Sequence, residues 1–222
     1  MERADQWVAD LIEVGNVAKS NRGYRYLLIV VDVLSKYAWG EPVKSKTGKD
    51  VTAAFEKILK RSDGRIPRRL QANDGKEFYN KTFQALMKRK DIRHFSTSGD
   101  TKASVIERFN HTLKKRMYRY FTVKNTFSFL PVLKDLVTGY NRSYHRSIKM
   151  APVKVTVRNE EQVWKNLYAK RLNTKRTLPK LKVGDRVRLN KKFRQFKKGY
   201  LPGWTEEVFV VARVMWGGCT HL

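Results

Sequence analysis

The chain is short of cysteine, of acidic residues and of long apolar runs, and each shortage removes a class of explanation. One cysteine, Cys219, stands three residues from the end, which excludes a disulfide framework and a Cys-based zinc site. His94, His145 and His221 fall at no metal-ligand spacing. The longest purely apolar run, residues 27–31, is stopped by Asp32 and is far below the roughly 20 residues of a membrane-spanning helix. No signal-peptide pattern opens the chain, so the expectation is a soluble, intracellular protein with no membrane partner. Acids number 20 against 48 Lys plus Arg, a net charge of +28 over 222 residues. Such an excess opposes compaction unless a polyanion is the working partner, and nucleic acid is the default candidate. The alternative is a basic surface that only solubilises. A hydrophobic fraction of 41% with 12% aromatics argues against wholesale disorder. The length admits one large domain, or one of about 150 residues with an appendage.

What is present is a regular alternation of strand and helix signals. Residues 6–14 read as a strand in which Trp7, Ala9 and Leu11 alternate with Val8, Asp10 and Ile12, leaving a carboxylate on a mostly apolar strand. Residues 24–34 form a near-continuous apolar run, as in a strand buried on both faces, and residues 37–43 complete a three-stranded meander. Thr47-Gly48-Lys49-Asp50 opens a helix whose Val51, Ala54, Phe55, Ile58 and Leu59 share one face. A strand at 69–73, a helix at 81–90 and a short strand at 92–96 follow. A long helix over 101–121 carries Val105, Phe109, Leu113 and Met117 toward the body, with another helix over 127–142. This order predicts a mixed α/β sheet with helices on its faces. Another helix is expected over 160–172. Residues 165–200 hold 14 Lys or Arg against one acid, Asp185. Strands of a small barrel are expected at 182–189 and 207–214, too few to be stable alone.

The stretch Leu-Gln-Ala-Asn-Asp-Gly-Lys-Glu-Phe at 70–78 ends a strand in polar side chains and turns at Gly75. Taken alone it reads more readily as a strand-to-helix turn with solvated acids. It matters because Asp10, the Asn73-Asp74 pair and Glu107 could converge. Enzymes that cut or join nucleic acid use shared carboxylates to hold two divalent cations. Asp32 is a rival acid, for which a structural hydrogen-bonding role is the competing reading.

Five segments then carry a resemblance: Ala-Asp-Leu-Ile at 9–12, residues 24–39 from Tyr-Arg-Tyr to Tyr-Ala-Trp, Asn-Asp-Gly-Lys-Glu-Phe at 73–78, residues 101–114 containing Val-Ile-Glu-Arg-Phe-Asn-His, and Tyr-Asn-Arg-Ser-Tyr-His-Arg-Ser-Ile at 140–148. Over about residues 6–155 the chain resembles the integrase core of retroviral and transposon type, most similar to the integrases of Maverick/Polinton elements. Residues 199–207 are similar to the small barrel that follows this core. The N-terminal His/Cys zinc module of many integrases is absent. The resemblance implies an RNase H-like mixed five-stranded sheet flanked by helices over 1–155, a basic helical linker over 156–181 and an incomplete barrel over 182–222. It also implies DDE chemistry with Mg2+ or Mn2+, double-stranded DNA as partner, homo-oligomers, and a location in the nucleus or wherever genomic DNA lies. In that chemistry a metal-activated water trims a DNA 3′ end and the freed hydroxyl attacks target DNA.

Carried over residue by residue, the first acid is Asp10, the third is Glu107, and the second falls on Asn73. Family members have Asp there, so catalysis is expected to be impaired. The alternative is an inactive DNA-binding remnant. Asp10, Glu107 and Asp74 are the candidate metal ligands, although Asp74, one residue along a strand, should point away from the other two unless the strand bulges. Lys102, His111, Lys114, Lys115, Arg188, Lys191 and Lys192 are the candidate DNA contacts, set against a plain solvated surface.

Overall fold

A computed structural model describes residues 6–96, 104–172, 180–190 and 203–214. It divides into two compact units, Met1–Leu172 and Asn173–Leu222, and each is taken by itself.

The first unit is built on a five-stranded sheet of order β3-β2-β1-β4-β5. Its strands are β1 (Gln6–Glu13), β2 (Tyr26–Asp32), β3 (Ala38–Val43), β4 (Arg69–Ala72) and β5 (Arg93–Ser96). The first three pair antiparallel, while β4 runs parallel to both β1 and β5. β2 explains why the sheet needs two covering layers. Leu27, Leu28, Ile29, Val30 and Val31 are all 0% exposed, so successive side chains need apolar neighbours on opposite faces. One face receives Trp7, Ala9, Leu28, Val30 and Leu70 and is covered by α1 (Gly48–Lys60) and α2 (Lys81–Arg89). The other receives Val8, Ile12, Leu27, Ile29 and Val31 and is covered by α3 (Ser104–Lys124) and α4 (Leu133–Arg142).

The covering helices start where their capping residues allow. Thr47 accepts a hydrogen bond from the Asp50 amide at α1, and Asn80 accepts one from Phe83 at α2, each satisfying a free N–H of the first turn. α3 buries Ile106, Phe109, Leu113, Met117 and Phe121, while Val105 is only partly buried, so the core stripe is centred one residue later than the sequence spacing implies. The next helix also starts late. α4 begins at Leu133, not at residue 127, because the preceding backbone is committed elsewhere. Asn21, at the end of a 3-10 helix over Gly15–Asn21, donates from Nδ2 to the Phe127 carbonyl and accepts at Oδ1 from the Phe129 and Leu130 amides. Pro131 then disfavours helix at the residue before it. α5 (Glu160–Leu172) seats Val163 against Ile148 and Val155 in a small third cluster.

In the second unit the described pairing is slight. β6 (Arg186–Val187) and β7 (Phe209–Val210) are two residues each and pair antiparallel, and a separate isolated bridge links Asn190 to Trp204. The eight-residue strands expected at 182–189 and 207–214 are not formed at that length. Gly184 takes φ +93°, and Val183, Leu189, Trp204 and Val210 stay exposed, so the strands lack a face to bury.

Candidate active site at the ends of two parallel strands

β1 and β4 lie side by side with Gln6 opposite Arg69, Trp7 opposite Leu70 and Val8 opposite Gln71. Continuing that register brings position 73, one residue beyond the end of β4, level with Asp10. Alternation sets the faces. Leu70 and Ala72 pack beneath α1 and α2, whereas Val8 and Ile12 pack beneath α3 and α4, so Asp10 is on the α3 face and Asn73 follows Gln71 onto the same side. β4 ends at Ala72, and the Gly75 amide donates to Asn73 Oδ1 at 3.4 Å, an Asx-type turn that folds the chain away. Asp74 is exposed in that turn. Glu77 follows with a buried side chain, 3.9 Å from Lys46 Nζ.

The long helix joins this corner through a side chain that sequence reasoning missed. Asn110 donates from Nδ2 to Asp10 Oδ2 at 2.7 Å. It lies one turn after Glu107 on α3, on a neighbouring stripe, so the bond ties the Glu107 helix to the β1 carboxylate. Its orientation is set by Asp10, because the flipped amide would bring two oxygens together. Asn110 Oδ1 is then left buried without a hydrogen-bond partner. An orphan acceptor of this kind costs about 1–3 kcal/mol, and a cation or a water would satisfy it. The signal was available as an Asn three residues after the acid of the Val-Ile-Glu-Arg-Phe-Asn segment.

The oxygens at this corner are the Asp10 carboxylate and two amide carbonyls, on Asn73 and Asn110, while Glu107 is exposed one turn before Asn110 on α3. An all-oxygen set suits a hard divalent cation. Joined by Glu107, the set would carry two full negative charges, which suit one such ion and are too few for a pair. No cluster of three His, Cys, Asp or Glu side chains able to hold a metal occurs among the described residues.

The remaining candidates separate. Glu107, His111, Lys114 and Lys115 are exposed along α3, and Lys114 with Glu13, Arg25 and Tyr118 borders a cavity of about 470 Å³. Arg188 is exposed in the second unit. Lys102, Lys191, Lys192 and His221 lie outside the described residues. Asp32 sits opposite Trp7, three residues back along β1 from Asp10. It accepts from the Leu34 amide at 2.9 Å and from Ser35 Oγ at 2.7 Å, which closes the β2–β3 turn, and burial pushes its carboxyl above the usual range.

The same turn buries Lys36, which donates from Nζ to the Val33 carbonyl at 2.5 Å. Burial lowers its pKa to about 8, against a rise from Asp32. The folded state therefore releases this proton before the unfolded state does. Its penalty is full below about pH 8 and is relieved as pH rises toward 10.5, where the unfolded chain loses the same proton. Urea unfolding should accordingly show stability rising over that window by more in the native chain than in Lys36→Met. Parallel profiles for the two would remove Lys36 as the cause.

Residues 2–99 match the Integrase core domain family, a span that includes Asp10 and Asn73 but not Glu107. An uncharacterised transposon-derived protein of Caenorhabditis elegans is 34% identical over 192 residues, covering 86% of this chain and 64% of its own length. The Pro-Pol polyprotein of Simian foamy virus type 1 is 28% identical over 143 residues, 63% of this chain and 12% of the polyprotein. The chain thus spans less than two thirds of either relative. Among solved structures, the HTLV-2 integrase catalytic core domain in complex with magnesium, in its trimeric form, superposes with a TM-score of 0.57 at 16% identity, covering 68% of this chain and 94% of that one. The simian T-cell lymphotropic virus intasome in complex with the PP2A regulatory subunit B56 gamma gives 0.59 at 16% identity over 82% and 61%. At such identities the likeness establishes the fold, which is the RNase H-like fold of integrase catalytic cores.

Proposed function

We propose that this chain is an integrase-like protein of mobile-element origin that binds double-stranded DNA and carries a DDE-type strand-transfer site weakened at its second position. The observation that carries the reading is the β1–β4 register, which sets Asn73 level with Asp10 while Asn110 draws the Glu107 helix to the same carboxylate. A Maverick/Polinton affiliation, homo-oligomers and a place of action on genomic DNA are part of the same proposal.

A divalent cation bound here would lower the pKa of an attacking hydroxyl and stabilise the leaving oxygen. Asp10 and Glu107 would hold it, with the Asn73 and Asn110 carbonyls as neutral donors. The work of this chain's own residues is positional. Asn110 fixes the rotamer of Asp10, the Asx turn at Asn73 ends β4 at the edge of the site, and α3 offers His111, Lys114 and Lys115 to phosphates. Phosphate contact supplies affinity that is independent of sequence and falls with salt.

A second reading is a DNA-binding remnant without catalysis, favoured by the neutral side chain at position 73. A strand-transfer assay with Mg2+ or Mn2+, run beside duplex binding, separates the two. Under the first, the native chain shows slow transfer that Glu107→Gln abolishes and Asp74→Asn leaves nearly unchanged. Transfer undetectable in every variant, with binding retained, selects the second. In both, the plot of log affinity against log salt should be steep, losing about tenfold or more between low and physiological salt. Binding indifferent to salt overturns both.

A further inference from the structure

α3 has a second polar flank. With about 100° between successive residues, Ser104, Arg108 and Thr112 form a stripe on the far side of the buried row from Asn110. That stripe is one wall of a cavity of about 290 Å³, closed by Lys36 from the β2–β3 turn, Tyr140 from α4, and His145 and Ser147 from the segment after it. Four elements thus deliver Lys36, Arg108 and His145 and four hydroxyls to one space. None of the described residues lining it is acidic.

The groups are close enough to feel one another. Burial lowers the pKa of His145, and the charges of Lys36 and Arg108 lower it further. Burial lowers the pKa of Lys36 as well, with Asp32 opposing the shift and Arg108 adding to it. Tyr140 is pushed up to about 12, by burial first, so its hydroxyl stays a donor. Ser147 Oγ lies 3.0 Å from His145 Nδ1; with the serine donating, the ring carries its proton on Nε2. The nearest acid of the turn, Asp32, is occupied by Leu34 and Ser35. A ring of donors that repel each other is a cost without an anion and a site with one.

We propose that this cavity binds a phosphate group, held by Arg108, Lys36 and His145 with the hydroxyls of Ser104, Thr112 and Ser147. Its volume equals about ten liquid waters, room for the sugar of a nucleotide beside the phosphate. A phosphate ester of small size and a backbone phosphate of nucleic acid share this chemistry. The site stands on its own residues and does not depend on the strand-transfer reading.

The experiment follows the His145 ring resonance by NMR, assigned by its loss in His145→Gln, as inorganic phosphate is added to the full chain at constant ionic strength. A saturable shift and a raised His145 pKa are expected, absent with chloride. Arg108→Gln should weaken phosphate at least tenfold, and because Arg108 is exposed the substitution leaves the fold intact. Ser147→Ala serves as a milder second variant with a several-fold loss. Addition of a short DNA duplex to the phosphate-loaded protein identifies the source. Displacement supports a backbone phosphate, and retained phosphate supports a small ester. No saturable shift well above a millimolar Kd, or equal binding by Arg108→Gln, overturns the proposal.

Discussion

Replacing Asn73 with Asp is expected to raise the rate of metal-dependent strand transfer by two orders of magnitude or more, equivalent to about 2.7 kcal/mol of barrier. The reason is charge. Asp10 and Glu107 contribute two negative charges, against four positive charges on a pair of divalent ions, and the amide at 73 contributes only a dipole. The change is nearly isosteric. Asn73 is exposed at the end of β4, so Asp fits the same position and accepts the same Gly75 amide bond through either oxygen. Little reorganisation should offset the gain. Calorimetric titration with Mg2+ or Mn2+ should show affinity tightened by tenfold or more, and Glu107→Gln added to Asn73→Asp should return the rate to background. Asp74 provides the internal control, because it lies beyond the end of β4, exposed in the turn that carries the chain away from Asp10. If Asn73→Asp changes neither metal affinity nor rate while Asp74→Asn eliminates an existing activity, the second position has been assigned one residue too early.

Much of this corner was legible from spacing. β2 announced itself by five consecutive apolar residues, and α1 by Val51, Ala54, Phe55, Ile58 and Leu59, all of which are buried. The three-stranded meander expected from residues 6–43 is also present, as β1, β2 and β3 paired in sequence. Facts that depend on two distant segments were not legible. The β1–β4 register is set by parallel pairing across an intervening helix, which no local pattern encodes. Asn110 looks like one more polar residue of a basic helix until Asp10 is found 2.7 Å away. The phosphate-sized cavity draws on Lys36, Arg108 and His145, which share no periodicity. The late start of α4 has the same origin, since residues 127–130 have ordinary helix-compatible side chains and are held out of the helix by Asn21.

Asn21→Ala is therefore expected to be the most damaging polar substitution outside the site, lowering the stability of the first unit by about 3 kcal/mol. Asn21 is 0% exposed and both ends of its amide are used. Nδ2 donates to the Val17 and Phe127 carbonyls, and Oδ1 accepts from the Phe129 and Leu130 amides. Alanine leaves these backbone groups in a space too small for the waters that would replace four bonds. Each abandoned group costs about 1–3 kcal/mol, partly recovered by relaxation. The damage should travel. Phe129 is fully buried in the core that also holds Phe121, Met117 and Phe109 of α3, so loosening 127–130 removes the floor beneath the helix that carries Glu107 and Asn110. Urea unfolding followed by fluorescence of the buried Trp7–Trp39 pair, whose rings lie 4.4 Å apart, should show the loss. Asn16→Ala, on the exposed side of the same 3-10 helix, should stay within about 0.5 kcal/mol of the native chain. Equal midpoints for the two variants would mean that residues 127–130 are held by their apolar side chains, and that the Asn21 amide is a passenger.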